Sequence, residues 1–312
     1  MRLVAALGGN ALLRRGDPLT ADNQRQNAAV AAKALAELVE AGHQLIVTHG
    51  NGPQVGLLAL QGAAYKPDET YPLDVLGAET EGMIGYLIEQ ELARRLPEGC
   101  RVATLLTQVE VDSNDPAFHA PSKPVGPVYT KGEAERLAKA QGWTVAPDGD
   151  HYRRVVPSPA PRRILELKVI ELLVDQGVIV VCTGGGGIPV VERKDGSLLG
   201  VEAVIDKDAA SALLARQLQA DALLMLTDVD AVETGWGTPQ ARRIRRAGAD
   251  ALDAFKFSAG SMGPKVRAAQ DFVRATGGFA AIGLLQDAAG LLSGVAGTRV
   301  AAGPTELQYY PD

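Results

Sequence analysis

Short apolar runs alternate with longer stretches of helical period along this chain, and that rhythm points to the fold class. Arg2–Leu7 reads as a short apolar strand, and Gly8-Gly9-Asn10 as the tight turn after it. A loop with Gly16 and Pro18 leads to an expected helix from about Asp22 to Ala41, with Gly42 as its stop. Gln44–Thr48 reads as a second strand. A second glycine turn follows, His49-Gly50-Asn51-Gly52-Pro53, in which Pro53 suits a first helical position. Leu73–Leu96 keeps a long helical period, and Val102–Leu106 reads as a third strand. Strand, helix, strand, helix, strand predicts a parallel sheet with right-handed crossovers.

The rhythm breaks near Asp112. Eight of the eighteen prolines fall between Asp112 and Pro161. A structureless loop of that length is uncommon inside a compact domain. The segment 112–161 therefore reads as a small inserted subdomain, with its own helix over Lys131–Gln141 and short strands, within a single domain of residues 1–312. The α/β rhythm resumes with a helix over Ile164–Gln176, a strand over Val178–Cys182 and a glycine loop, Gly184 to Gly187. Strand Leu223–Leu226 ends in Thr227-Asp228-Val229-Asp230. Gly260-Ser261-Met262-Gly263-Pro264-Lys265 precedes a helix to about Thr276, and Ala280–Leu285 and Thr298–Ala301 read as late strands.

The stretch Val201–Asp208 carries the sharpest chemical signal. Its alternating apolar residues predict a strand that runs into Lys207-Asp208, and a helix pattern starts at once with Ala209, Ala210, Leu213 and Leu214. A lysine at a strand's C-terminal end, beside a helix start, stands where α/β sheets bind ligands. The helix start adds free N–H groups and a positive dipole end, which suits phosphate. Asp208 suits two tasks, holding Lys207 or capping the helix. Taken alone, the stretch suits a plain N-cap with a surface lysine as well as it suits a phosphate site.

Bulk properties narrow the picture. With 312 residues, 46% of them hydrophobic, the chain can bury a large core. A net charge of −6 leaves no nucleic-acid footprint. The one basic cluster, Arg242-Arg243-Ile244-Arg245-Arg246, reads as a solvated helix face. Cys100 and Cys182 read as buried reduced thiols of a cytoplasmic protein. The uncharged stretch Gln176–Val191 holds five glycines and a proline and reads as no membrane span.

Familiar motifs are missing. No Gly-Lys-Ser/Thr follows a glycine loop, no Cys-x-x-Cys or His-x-x-x-His pair suggests a protein-built metal site, and no Gly-x-Ser-x-Gly elbow occurs. Glycines recur instead at strand ends: Gly8-Gly9, Gly50 with Gly52, and Gly184 to Gly187. A missing Cβ lets backbone N–H groups approach an anion. Three such turns at one sheet edge suggest a phosphate cradle. Lys207 and Lys265, each at an expected helix start, suit charge clamps for phosphoryl transfer.

These residues carry a resemblance. The blocks are Ala6-Leu7-Gly8-Gly9-Asn10-Ala11-Leu12, Thr48-His49-Gly50-Asn51-Gly52-Pro53-Gln54-Val55-Gly56, Lys123-Pro124-Val125-Gly126-Pro127 and Arg153-Arg154-Val155-Val156-Pro157-Ser158-Pro159. After them come Gly184-Gly185-Gly186-Gly187-Ile188-Pro189-Val190, Val204-Ile205-Asp206-Lys207-Asp208, Leu226-Thr227-Asp228-Val229-Asp230 and Gly260-Ser261-Met262-Gly263-Pro264-Lys265. In that order, over essentially the whole length, the chain resembles the carbamate kinases of the amino acid kinase superfamily. Other branches usually place a lysine two residues before the first glycine turn, where this chain has Ala6, and in carbamate kinases the lysine of the Ile-Asp-Lys-Asp block fills that role. The resemblance departs at Val128, where an aromatic is expected, and at Val232-Glu233-Thr234, beside the expected adenine pocket.

The resemblance implies a three-layer α/β/α sandwich with a mainly parallel open sheet and a small protruding subdomain. It implies a homodimer without nucleic-acid or membrane partners. The implied activity is Mg²⁺-dependent, reversible phosphoryl transfer between carbamoyl phosphate and ADP, giving ATP and carbamate, within arginine metabolism. By position, Gly8, Gly9 and Asn10 line the phosphoryl site, and Gly50, Asn51 and Gly52 hold the carbamate end. Lys207 and Lys265 touch the transferring group, Asp208 orients Lys207, and Lys123 reaches over the substrate from the insert. Thr227, Asp228 and Met262 fall on the nucleotide side. The nucleophile is an oxyanion in either direction, so no general base is required, and His49 reads as structural. Two alternatives are a superfamily kinase for an acidic amino acid or nucleoside monophosphate, and a silent ligand sensor. The Gly-Asn-Gly-Pro turn speaks against the first, and the two lysines with Asp208 against the second.

Overall fold

The computed structural model describes residues 1–13, 17–66, 70–258, 260–303 and 306–311, without the side chains of Asn10 and Ala11. The expected loop at Gly16 lies outside them. The central element is a ten-stranded sheet. Its strand order runs Glu233–Thr234, Arg242–Gly248, Thr298–Ala301, Phe279–Leu284, Ala222–Thr227, Arg2–Leu7, Gln44–His49, Val178–Val181 and Arg101–Thr104, with Leu307–Tyr309 paired to Arg242–Gly248. Six neighbouring pairs are parallel and three antiparallel.

Side-chain alternation makes this sheet the middle of three layers. Val4, Ile46, Val180, Leu223 and Met225 face one layer, with helices Leu167–Asp175, Lys207–Gln217 and Met262–Thr276. Leu3, Leu7, Leu45, Val47, Leu224 and Leu226 face the other, with helices Ala21–Glu40 and Leu73–Ala93. Both faces of the inner strands are thus apolar, as parallel sheets require. Each fully buried Leu, Val or Ile contributes about 1.5–3 kcal/mol of transfer free energy. This two-sided burial fixes the strand register, and with it the level of the strand ends.

Two smaller sheets flank the main one. Leu198–Gly200, Ile188–Glu192, Gln108–Val111 and Pro161–Ile164 form the first. Lys123–Tyr129, His151–Val156 and Thr144–Asp148 form an antiparallel second, which carries helix Lys131–Gln141. A reciprocal cap starts that helix: Thr130 and Glu133 each bond the other's backbone N–H.

Four sequence expectations need correction. Val201–Asp206 belongs to no strand: its Val201 and Val204 amides donate to Pro189 O and Pro157 O, which form no continuous ladder. Its alternation arises because Ala203 and Ile205 enter the core, both fully buried, while the residues between them face outward to other segments. The helix expected over Ile164–Gln176 starts at Leu167, because Pro161–Ile164 pairs with Gln108–Val111. The arginine cluster is a strand, Arg242–Gly248, held between Thr298–Ala301 and Leu307–Tyr309, with Arg242 stacked 3.9 Å over the Tyr309 ring. Cys182 is buried as expected, but Cys100 is exposed.

Candidate active site

The sheet order brings the C-terminal ends of Ala222–Thr227, Arg2–Leu7, Gln44–His49 and Val178–Val181 side by side. The first two glycine turns and the Gly184 loop therefore meet at one edge. Gly8 N–H donates to Leu226 O at 2.7 Å, and Gly50 N–H to Leu7 O at 3.2 Å. A Cβ on Gly50 would lie 3.2 Å from Gly9 Cα and 3.4 Å from Lys207 Cδ, so two turns and the lysine stem are in contact. A Cβ on Gly9 or Gly52 would meet nothing within 4 Å. Packing does not demand glycine at those two positions. The Asn10 side chain lies outside the described residues.

The lysines converge on one carboxylate. Lys207 Nζ lies 2.6 Å from Asp208 Oδ1, and Lys265 Nζ 3.2 Å from Asp208 Oδ2. Burial pushes the Asp208 carboxyl up, but the two ammonium charges and their hydrogen bonds outweigh it and bring it to about 2. Burial, then the charge of Lys207, lowers Lys265, with Asp208 opposing. Lys207 is the first residue of its helix, and Lys265 stands in the first turn of Met262–Thr276.

Asp208 does not cap the helix. Asp206 does, with Oδ1 accepting from Asp208 N at 2.9 Å and Ala209 N at 3.1 Å. Its Oδ2 lies 2.5 Å from Lys123 Nζ, so the insert lysine also reaches this edge. Burial raises the Asp206 carboxyl, but Lys123 and the capping amide outweigh it and leave it below the ordinary range. These five side chains carry three ammonium charges against two carboxylates, which leaves one positive charge.

Asn51 is held from two sides. Its Nδ2 donates to Thr80 Oγ1 at 2.9 Å, and its amide occupies the place of a Cβ on Gly185, about 2.1 Å away. Gly185 has φ +67, and the preceding Thr183 takes φ 54, a region disfavoured for a β-branched residue. His49 is buried 1% exposed beside Gly184. Burial lowers its imidazole to about 4, against a bond to Gly50 O and with help from the Lys207 charge, so it is neutral at physiological pH. Buried Glu81 accepts from Thr107 N at 2.8 Å under the same loop, and burial pushes its carboxyl well up. Thr227 Oγ1 donates to Asp228 Oδ1 at 3.1 Å at the neighbouring strand end, and Met262 opens its helix against the core.

Sequence reasoning missed Asp206, Thr80 and Glu81 as site-building residues. For Asp206 a signal existed, because an aspartate directly before a helical run is a strong N-cap. Thr80 and Glu81 lie mid-helix, and nothing local marks them.

An α/β sheet with glycine turns and a two-lysine clamp at one edge defines a phosphoryl-transfer enzyme, and the comparisons give its class. The amino acid kinase family model matches residues 1–281. Carbamate kinase of Rhizobium meliloti (strain 1021) is 57% identical over 99% of this chain and 96% of its own. That of Haemophilus influenzae is 56% identical over 99% of this chain and 100% of its own. The solved carbamate kinase from Giardia lamblia bound to AMP-PNP superposes with a TM-score of 0.87 at 41% identity, covering 97% of this chain and 98% of that one. A UMP kinase from Bacillus anthracis, 15% identical with a TM-score of 0.56, shares the fold alone. The chain belongs to the carbamate kinases of the amino acid kinase family. Among the described residues no helix is long and apolar enough to cross a membrane.

Proposed function

We propose that this chain transfers a phosphoryl group reversibly between carbamoyl phosphate and ADP. An ADP β-phosphate oxygen attacks phosphorus, the bond to the carbamoyl oxygen breaks, and carbamate leaves with the electron pair. Both nucleophiles are anions, so no proton has to move. The observation that carries the reading is the pair of lysines on one buried carboxylate, beside the Gly9–Gly50 contact.

Gly8, Gly9 and Asn10 are assigned to the transferring phosphoryl group, and Gly50, Asn51 and Gly52 to the carbamate end. Lys207 and Lys265 neutralise charge on the moving group, and Asp208 aims both. Thr227, Asp228 and Met262 are assigned to the nucleotide. One helix dipole offers about 0.3–1 kcal/mol, whereas removal of a preorganised donor in a closed site costs about 3–4 kcal/mol. The lysines therefore dominate the catalytic term. One Nδ2 proton of Asn51 goes to Thr80, which leaves the second for a carboxylate-like oxygen.

Asp206 and Asp208 are already engaged by lysines and amides. That suits a Mg²⁺ carried on the nucleotide's own phosphates, where it would neutralise charge, better than a protein-built cage. The insert, residues 112–161, is assigned as a lid that excludes water and brings Lys123 over the substrate. A cytoplasmic homodimer working in arginine metabolism completes the reading.

The test is ATP formation from carbamoyl phosphate and ADP against a panel of other acyl phosphates. Strong preference for carbamoyl phosphate is expected. Equal rates with acetyl phosphate, or no ATP at all, would overturn the reading.

A further inference from the structure

The Val201–Asp206 stretch is an extended strap with two distinct faces. Ala203 and Ile205 are buried in the core, and the Ile205 carbonyl lies against Gly186, where a Cβ would be 2.5 Å away. The alternate positions all hold the insert. Glu202 Oε1 accepts from Arg154 Nη2 at 3.2 Å, while its Oε2 accepts from Leu73 N at 2.8 Å. Val204 N–H donates to Pro157 O at 2.9 Å. Asp206 Oδ2 takes the Lys123 ammonium. Arg154, Pro157 and Lys123 are all insert residues, from both ends of the segment 112–161. Arg154 also lies 4.7 Å over the Trp143 ring, so its guanidinium is fixed within the insert as well.

The strap ends where the clamp begins. Asp206 Oδ1 fixes the Asp208 and Ala209 amides in the first turn of the helix whose first residue is Lys207. One carboxylate thus sets an insert lysine with one oxygen and the floor lysine's helix with the other. We infer that Asp206 is a positioning residue that places Lys123 and Lys207 relative to each other, and that the strap couples the insert to the clamp. The inference rests on the proposed phosphoryl transfer for its consequence, but its geometry can be tested without activity.

Asp206→Asn separates the two tasks, because asparagine caps a helix as well as aspartate does but offers Lys123 no charge. Asp206→Ser serves as the second variant, since serine also caps. In either variant the amides of strand Lys123–Tyr129 should exchange with solvent about tenfold faster, while those of the Lys207 helix stay within about threefold of the parent. Single-turnover transfer should fall about tenfold through the lost charge-assisted bond, with ADP affinity within about twofold. In a Lys123→Ala background, Asp206→Asn should cost less than about threefold more, because both changes remove one interaction. Unchanged exchange over 123–129 in both variants would overturn the inference, as would losses that multiply in the double variant. A parent enzyme that forms no ATP would instead fail the functional reading, and the exchange result would still decide the positioning claim.

Discussion

The floor of the site and the insert above it are held by different forces. The floor lysines, Lys207 and Lys265, each keep 12% of their side-chain surface, around an Asp208 with 5%. They stand on helices packed against a sheet that is apolar on both faces. Lys123 keeps 32%, and its partner Asp206 22%. The insert also rests on a backbone contact, where a Cβ on Gly56 would lie 1.9 Å from Gly126 Cα. Removing one partner of a buried ion pair costs about 3–5 kcal/mol, and the half-buried insert pair falls between that and the roughly 0–1 kcal/mol of an exposed pair. The difference teaches that the floor is preorganised at the expense of burying charge. The insert contact is the more solvent-exposed of the two.

If that contrast holds, the largest effect belongs to the floor. Lys207→Ala should lower kcat at least about a hundredfold in a folded protein, since a positioned charge at the transferring group is lost. Circular dichroism and steady-state ATP formation check it, and a folded variant within a few-fold of the parent would break the contrast.

Next comes the carbamate end of the same floor. Asn51→Ala should raise KM for carbamoyl phosphate about tenfold, and KM for ADP by less than about twofold. Equal changes in both would make the turn a structural element only.

The last effect is on stability, outside the scale of rates, and sharpens the claim that the floor is buried. The His49 imidazole titrates at 6.5 ordinarily and at about 4 here, chiefly through burial. Between those values the unfolded chain binds more protons. The contribution is therefore full above about pH 6.5 and is lost as pH falls toward about 4, about 3 kcal/mol in all. Asp208 adds little to that window, because its ordinary value is 3.8 and its folded value about 2. Urea unfolding of the parent and His49→Gln between pH 7 and pH 4.5 should show a shallower slope for the variant. Identical slopes would mean that the ring is solvated.

The floor was also the more legible region. Its strands announce themselves by apolar runs and its turns by glycine, so Gly8 and Gly50 could be located from local pattern alone, whereas Lys207 was placed by a helix start and by a strand that is not formed. Helix Lys131–Gln141 was legible too, because its cap and its Gly142 stop are local signals. What failed was non-local. Val201–Asp206 alternates like a strand, yet its outer face answers to Arg154, Pro157 and Lys123, far away in sequence. The arginine run is exposed as expected but is a strand and no helix, because the segment that pairs with it, Leu307–Tyr309, lies far away in sequence. Thr80 and Glu81 support the glycine loop from mid-helix positions, where the spacing signals only packing.

One paired measurement on Lys123→Ala addresses the division between floor and insert directly: calorimetry of ADP binding, with single-turnover transfer from carbamoyl phosphate. If the nucleotide rests on the floor and Lys123 serves only the closed complex, as proposed, ADP affinity should stay within about twofold while transfer falls about tenfold or more. Loss of ADP binding, or transfer at the parent rate, would contradict that division.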